Sequence, residues 1–259
     1  MELIFLGTGT SQGVPMIAHD PPDLDLSDPR NHRTRTSIHV VMGGMHLQVD
    51  CAPEFRVQCL ANDLRRVEGV LLTHAHADHI MGMDDLRRFV DLNDGEAMPV
   101  WGDAGTLERV RAIYPYAIRD KPQYKGYPAF QLSELAGPVQ LPGGTVEATV
   151  LPHGHSDVLG LVFTEAVSER RLVYYTDCKD VPPDALELAR GADVAVLDAL
   201  RHEPHYSHMH TARALEVAAE IGARQTFFTH MTWGIDQARD SANLPPHVAY
   251  AHDGLRVTI

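Results

Sequence analysis

Between Thr73 and His79 the chain sets three imidazoles and a carboxylate, His74, His76, Asp78 and His79, within six residues, directly after the apolar run Gly69-Val70-Leu71-Leu72. A short apolar run of this kind reads as a buried strand, so the four polar side chains leave the interior together at its end. Side chains so placed are costly to bury unless something satisfies their lone pairs, and a divalent cation does. His74 and His76, on one side of the turn, can share one ion. Asp78 and His79, carried onto the next turn, can face a second. The competing reading is a solvated histidine-rich loop, and it weakens because the pattern recurs. His153 follows Thr149-Val150-Leu151-Pro152, Asp177 follows Leu172-Val173-Tyr174-Tyr175-Thr176, and His230 follows Thr226-Phe227-Phe228-Thr229. A lone histidine at a strand end is more often a hydrogen-bonded structural residue than a ligand. Three such positions and a cluster ask for a fold that brings several strand ends to one edge.

The pattern along the chain supplies those strands. Residues 2–6 read as a buried strand, ended by the glycine-rich turn Gly7-Thr8-Gly9-Thr10-Ser11-Gln12-Gly13. Residues 14–36 read as a long surface excursion. Strands over Ser37–Met42 and Met45–Asp50 are joined at Gly43-Gly44, a hairpin composition. A helix is expected over Pro53–Arg66, packed through Phe55, Val57, Leu60 and Leu64. A short helix over Gly82–Val90, a strand at Met98–Trp101 and a helix over Ala104–Ile113 follow. Tyr114–Gln131, rich in aromatics and prolines, reads equally well as a lid or as a packed loop. Further strands are expected at Val139–Leu141, Thr145–Leu151, Val158–Thr164, Arg171–Tyr175, Ala192–Leu197, Gln225–Phe228, Val248–Ala251 and Leu255–Ile259, with a helix over Thr211–Ile221. Strands outnumber helices, and helices recur in both halves. The layered solution is an α/β fold of two sheets with helices outside, in one domain over residues 1–259.

Composition narrows the function. Lys and Arg number 22 against 35 Asp and Glu, a formal net charge of −13. That field repels polyanions, and no run of five or more basic residues offsets it, so nucleic acid is a disfavoured partner. No stretch approaches the roughly 18 apolar residues of a membrane span. The N-terminus carries no basic region or cleavage site, which sets a cytoplasmic expectation. Three cysteines, none in a Cys-x-x-Cys pair, make no disulfide framework and suit a reducing compartment.

The segment His74-Ala75-His76-Ala77-Asp78-His79 resembles the His-x-His-x-Asp-His hallmark of the metallo-beta-lactamase superfamily, and the resemblance spans nearly the whole chain. It implies a four-layer αββα sandwich of two mixed sheets and a dinuclear metal centre. His74, His76 and His153 would form one site and Asp78, His79 and His230 the other, with Asp177 bridging. Asp50 would orient a ligand histidine by accepting its other ring proton. Nitrogen and oxygen ligands without thiolate suit Zn²⁺ or Mn²⁺, and Fe²⁺ is compatible. His76 stands where the redox di-iron branch carries glutamate, which favours hydrolysis. Two ions lower the pKa of a shared water, hold the resulting hydroxide for attack and stabilise charge on attacked and leaving oxygens.

Within the superfamily the chain resembles the PhnP-like cyclic phosphodiesterases in three places: the opening motif Gly7–Pro15, the arginine-bearing segment Asn31–Ser37, and Pro204-His205-Tyr206-Ser207-His208. That match makes His208 the general acid, so His208 and Asp78 are the expected catalytic residues. His205 and His210 would be supporting or surface residues. Arg33 and Arg35 would either contact phosphate or brace the opening loop. The chain departs from these relatives in one coupled place: residues 16–30 lack cysteine, and Trp233 stands where they carry a histidine. The structural zinc held by those residues is therefore expected to be absent, with Trp233 packing against Pro21 and Pro22. The expected activity is cleavage of a small cyclic or activated phosphodiester. Rivals are a tRNA 3′-processing endonuclease, a lactonase or thioesterase, and a metal-stabilised module that binds a phosphorylated metabolite without turnover. The resemblance is compatible with a homodimer.

Overall fold

The computed structural model describes residues 1–259. The first sheet is built from β1 (Glu2–Gly7), β2 (Ser37–Met42), β3 (Met45–Val49), β4 (Gly69–Leu71), β5 (Met98–Gly102) and β6 (Phe130–Glu134). The second contains β7 (Val139–Leu141), β8 (Gly144–His153), β9 (Ser156–Glu165), β10 (Arg171–Tyr175), β11 (Val194–Asp198), β12 (Gln225–Thr229) and β13 (Val248–Tyr250). The last strand, β14 (Arg256–Thr258), returns to pair antiparallel with β1, so each sheet has seven strands. The β2–β3 hairpin closes through Gly43 and Gly44 at φ 57° and 83°, a left-handed pair that glycine adopts without a Cβ penalty.

The inner faces of the two sheets meet in a dry core. Leu3, Phe5, Val40 and Val49 of the first interlock with Leu161, Phe163, Tyr174, Val196 and Phe227 of the second. The Phe5 and Phe227 rings lie 5.5 Å apart, within the range of favourable aromatic pairs. Outside the first sheet lie α1 (Phe55–Ala61), α3 (Arg87–Leu92) and α4 (Ala104–Ile113), over Ile4, Leu6, Val70 and Val100, and the single turn α2 (Ala77–Ile80) follows β4. Outside the second lie α5 (Pro183–Ala189) and α6 (Thr211–Ile221). On α6 the buried residues Ala214, Val217, Ala218 and Ile221 follow the i, i+3, i+4, i+7 stripe of a helix with one covered face. The layers run helix, sheet, sheet, helix, as expected. No helix is long and apolar enough to cross a membrane.

Strand direction positions the site. The neighbours β3, β4, β5 and β6 run parallel. In the other sheet β10, β11, β12 and β13 run parallel, and β8 shares their direction because β9 is antiparallel to both of its neighbours. The C-terminal ends of β3, β4, β8, β10, β11 and β12 are therefore where loops can converge, as at the strand ends of open α/β sheets generally. The edges are tied together there: Leu159 N–H donates to Thr73 O, and Thr10 N–H to Met231 O.

Several local expectations change. The first helix is α1 alone, seven residues, and it buries Phe55, Gln58 and Cys59, leaving Val57 and Leu60 56% and 66% exposed. At 100° per residue, positions 57 and 60 fall away from the face set by 55, 58 and 59. The span from Gly82 to Val90 is a 3₁₀ turn (Met83–Leu86) running into α3. Residues 183–189 and α7 (Gln237–Ser241) form helices the apolar pattern did not indicate, although Pro182-Pro183-Asp184 carries a helix-start signal. The Tyr114–Gln131 segment is a packed connection. The Tyr114 hydroxyl donates to Ile80 O, the Tyr116 hydroxyl to Asp84, and Ala117, Ala129 and Phe130 join the outer core of the first sheet.

Candidate metal centre

Six strand ends deliver the side chains. Asp50 follows β3, and its fully buried carboxylate accepts from Thr73 N–H (2.9 Å), Thr73 Oγ1 (2.8 Å) and His79 Nδ1 (2.7 Å). Since the Thr73 hydroxyl gives its proton to Asp50, it accepts from His74 Nδ1 at 3.0 Å. His153 Nδ1 donates to the Ser207 carbonyl at 3.1 Å. These bonds fix the tautomers from outside, so the Nε2 lone pairs of His74, His79 and His153 point inward. Asp50, Asp177 and His230 have φ of 57°, 52° and 61°, a left-handed conformation that costs a non-glycine residue of order 1 kcal/mol and gathers at functional sites. Three such residues at the ends of β3, β10 and β12 turn their side chains into one space.

Two groups of potential ligands result: His74, His76 and His153, and Asp78, His79, Asp177 and His230, with the ligand atoms of each group within 4.8 Å of one another. Asp177 also approaches His153 and His208, which puts it between the two groups. His79 Nε2 lies 3.4 Å from Asp78 and 3.3 Å from Asp177, and His230 Nε2 lies 3.1 Å from Asp177. The imidazoles crowd: ring centroids are 4.4 Å apart for His74 and His76, and 5.2 Å for His76 and His153. The buried Nε2 atoms of His74, His79 and His230 have no hydrogen-bond partner in the protein. Orphaned acceptors in a dry site are what a cation would satisfy, and the nitrogen-oxygen donor set fits a divalent ion.

The electrostatics agree. Burial holds His74 well below the ordinary histidine range, which keeps its ring neutral and its lone pair free. Burial opposes ionisation of Asp177, yet His230 and His79 outweigh it and hold the carboxyl well below its usual range. At Asp78 the neighbouring His79 ring likewise outweighs burial and lowers the carboxyl. The centre thus presents anionic carboxylates among imidazoles.

His208 stands beside both groups, its ring 4.8 Å from that of His153 and stacked at 4.7 Å on that of His230. Its Nδ1 lies 2.7 Å from Asp198 Oδ2, and Asp198 is fully buried at the end of β11. Burial lowers His208 from the ordinary histidine range, while the Asp177 and Asp78 charges act the other way. The sequence reading passed over Asp198, although the rule that found Asp177 applies to it: a carboxylate directly after Val194-Ala195-Val196-Leu197.

A cavity of about 420 Å³ opens onto His76, Asp78, His153, Asp177, His208 and His230, rimmed by Thr10, Ser11, Gln12, Tyr206 and Trp233. None of residues 114–131 lines it. His205 does, with Nδ1 3.3 Å from Ser207 N; His210 instead precedes α6 without capping it. Arg35 braces the opening loop, whereas the Arg33 side chain ties its own segment to Thr232. Arg33, 1% exposed, donates to Asn31 Oδ1 (3.1 Å) and Thr232 O (3.4 Å), while Arg35 Nε donates to Ser11 O (3.0 Å) and its guanidinium pairs with Glu54. Trp233 meets the ring of His19 at 4.8 Å, a partner the sequence did not suggest.

Residues 46–231 match the model of the beta-lactamase superfamily domain. The chain belongs to that superfamily. Its fold superposes on the crystal structure of a new diphosphatase from the PhnP family with a TM-score of 0.89 and 30% identity, covering all of this chain and 97% of that one, which groups it with the PhnP family. A protein of Porphyromonas gingivalis named octanoyltransferase is 30% identical over 264 residues; the match takes in all of this chain and 52% of that protein, so the chain spans about half of its length. Ribonuclease Z of Bacillus subtilis is 23% identical, covering all of this chain and 99% of its own length.

Proposed function

We propose that the protein is a dinuclear metal-dependent hydrolase that cleaves a phosphoryl bond in a small substrate, a cyclic or activated phosphodiester in the first instance. One observation carries this reading: two groups of metal-ligand side chains meet at Asp177 beside a histidine held by a buried carboxylate. His74, His76 and His153 would hold one ion, Asp78, His79 and His230 the other, and Asp177 would bridge them. Divalent cations there supply Lewis acidity, lowering the pKa of water and offsetting charge on the phosphoryl oxygens.

The chain's own residues do the rest. Asp50 fixes the His79 ring, the Ser207 carbonyl fixes His153, and Thr73 links His74 to the same carboxylate. Asp198 accepts a hydrogen bond from Nδ1–H of His208, which leaves Nε2 for the cavity; in the imidazolium form, which the Asp177 and Asp78 charges favour against burial, Nε2–H hands its proton to the leaving oxygen and the ring is left neutral. Thr10, Ser11 and Gln12 of the opening loop line the same cavity.

A phosphoric anhydride is the second reading, favoured by the 30% identity to the PhnP-family diphosphatase; the same acid would protonate a phosphate leaving group. The net charge of −13 weighs against a tRNA substrate despite the ribonuclease Z relatives. Metal quantification with turnover of bis(p-nitrophenyl) phosphate, a 2′,3′-cyclic nucleotide and a dinucleoside diphosphate tests the proposal. Metal-loaded, folded protein that turns over none of them refutes it, and turnover of the anhydride alone selects the second reading.

A further inference from the structure

A second cavity, about 520 Å³, adjoins the metal cavity and shares Arg201, Thr232 and Trp233 with it. It takes no part in holding ions or moving the proton. Its wall is fixed from behind: Thr232 N–H donates to Leu200 O, and buried Arg33 donates to Thr232 O. Three carboxylates line it, of which Asp240 is committed, accepting from Arg239 (2.9 Å) and Asp236 N–H (2.7 Å). The exposed carboxylates of Asp23 and Glu203 make no hydrogen bond or ion pair with the protein. Arg201 donates to the carbonyls of Glu203 and Pro204, so no carboxylate neutralises it, and it stands at the boundary of the two cavities.

We propose that this cavity receives the organic group attached to the reacting phosphoryl, and that it selects a nucleoside-like group over a sugar bearing a second phosphate. The inference rests on the phosphoryl-hydrolase reading above. Trp233 lines both cavities, with His19 tilted against its ring at 4.8 Å, and gives an aromatic surface on which a base of any identity can stack. Asp23 and Glu203 offer acceptors for ribose hydroxyls and exocyclic amines. A second phosphate in the same place would face those carboxylates with Asp240 behind them, and Arg201 would be the one cation without a carboxylate partner; unmatched like charge is a strong device for rejecting a competitor.

Binding to the full-length, metal-loaded protein tests this apart from catalysis. Adenosine 5′-monophosphate, adenosine 3′,5′-bisphosphate and ribose 5-phosphate are titrated by calorimetry, with tryptophan emission followed in parallel. The monophosphate should bind at least about ten-fold tighter than either of the others and change the emission of Trp233. Trp233→Leu should bring the monophosphate and ribose 5-phosphate close to equal affinity, and Trp233→Phe, which keeps a ring, should retain part of the preference. Asp23→Asn with Glu203→Gln should raise the affinity for the bisphosphate relative to the monophosphate. Equal affinities in the wild type, or an undiminished preference in folded Trp233→Leu, overturns the inference. Turnover of the p-nitrophenyl ester of thymidine 5′-phosphate separates it from its premise. Hydrolysis without nucleoside preference sinks the subsite alone, and preference without any phosphoryl hydrolysis sinks the hydrolase reading alone.

Discussion

Replacing Asp198 by Asn removes the charge that holds His208 while keeping shape and volume. The bond at stake is 2.7 Å long, between an imidazole 10% exposed at its side chain and a carboxylate that is fully buried. A hydrogen bond to a charged group is worth about 1.5–3 kcal/mol against about 1 kcal/mol for a neutral one, and the amide oxygen can keep the neutral bond, so losing the charge converts to a fall of about three- to thirty-fold in kcat. The loss should depend on the leaving group. An alkoxide needs the proton of His208 and should show the full effect, whereas p-nitrophenolate needs little help and should show a few-fold loss. The assay is kcat for a series of phosphodiesters of graded leaving-group pKa, with metal content determined on each preparation. The amide can still accept from Cys178 N–H, which lies 3.0 Å from Asp198 Oδ2 in the wild type, so the local backbone should hold. Equal losses across the series would refute the acid role. A fall in metal content would show that His208, within ligand distance of His153 and Asp177, serves the ions.

Other consequences concern the frame. His39 is fully buried, hydrogen-bonded to His46 Nδ1 at 3.0 Å, and burial lowers it to about 4. The unfolded chain takes up this proton near pH 6.5 and the folded chain does not, so stability falls as pH drops from about 6.5 to about 4, by about 3 kcal/mol from this group; urea unfolding of wild type and His39→Leu at pH 7.5 and 4.5 should show the difference between them shrinking at low pH. Gly82→Ala would place a Cβ 2.0 Å from Ala52 O and 2.8 Å from Phe55 Cβ, and overpacking of this kind should cost about 3 kcal/mol in a denaturant titration. Tyr124→Ala with Tyr127→Ala, at the exposed tip of the 114–131 segment, should leave kcat/KM within about two-fold, and a several-fold rise in KM would restore the lid.

Much of the fold was legible because its strands are short apolar runs punctuated by glycine and proline, and a parallel strand buried on both faces leaves that mark. The limits of α4 and α6 could be read for a related reason: Asp103 caps the first, accepting from Thr106 N–H, and Gly222 ends the second in the left-handed region. Val57 and Leu60 misled because apolar residues on a surface helix count toward a periodicity they do not serve. The candidate ligand residues stood out as costly groups after apolar strands. Asp198 obeys the same rule, and only its 2.7 Å contact with His208 shows what it does. The left-handed backbone at Asp50, Asp177 and His230 left no mark in residue type, since an aspartate or histidine is placed there for its side chain. The settings of Arg33 and Trp233 were equally silent, because both depend on segments some 200 residues apart meeting in space.

The central claim is that one edge of the sandwich holds two ions on two separable sets of side chains. Titration of metal-free protein with Zn²⁺ or Mn²⁺, followed by calorimetry and elemental analysis, tests it directly. Wild type should bind two equivalents, His76→Ala and His230→Ala should each retain one, and Asp177→Ala should weaken both. A single equivalent in the wild type, or the same remaining site in the two histidine variants, would contradict the account.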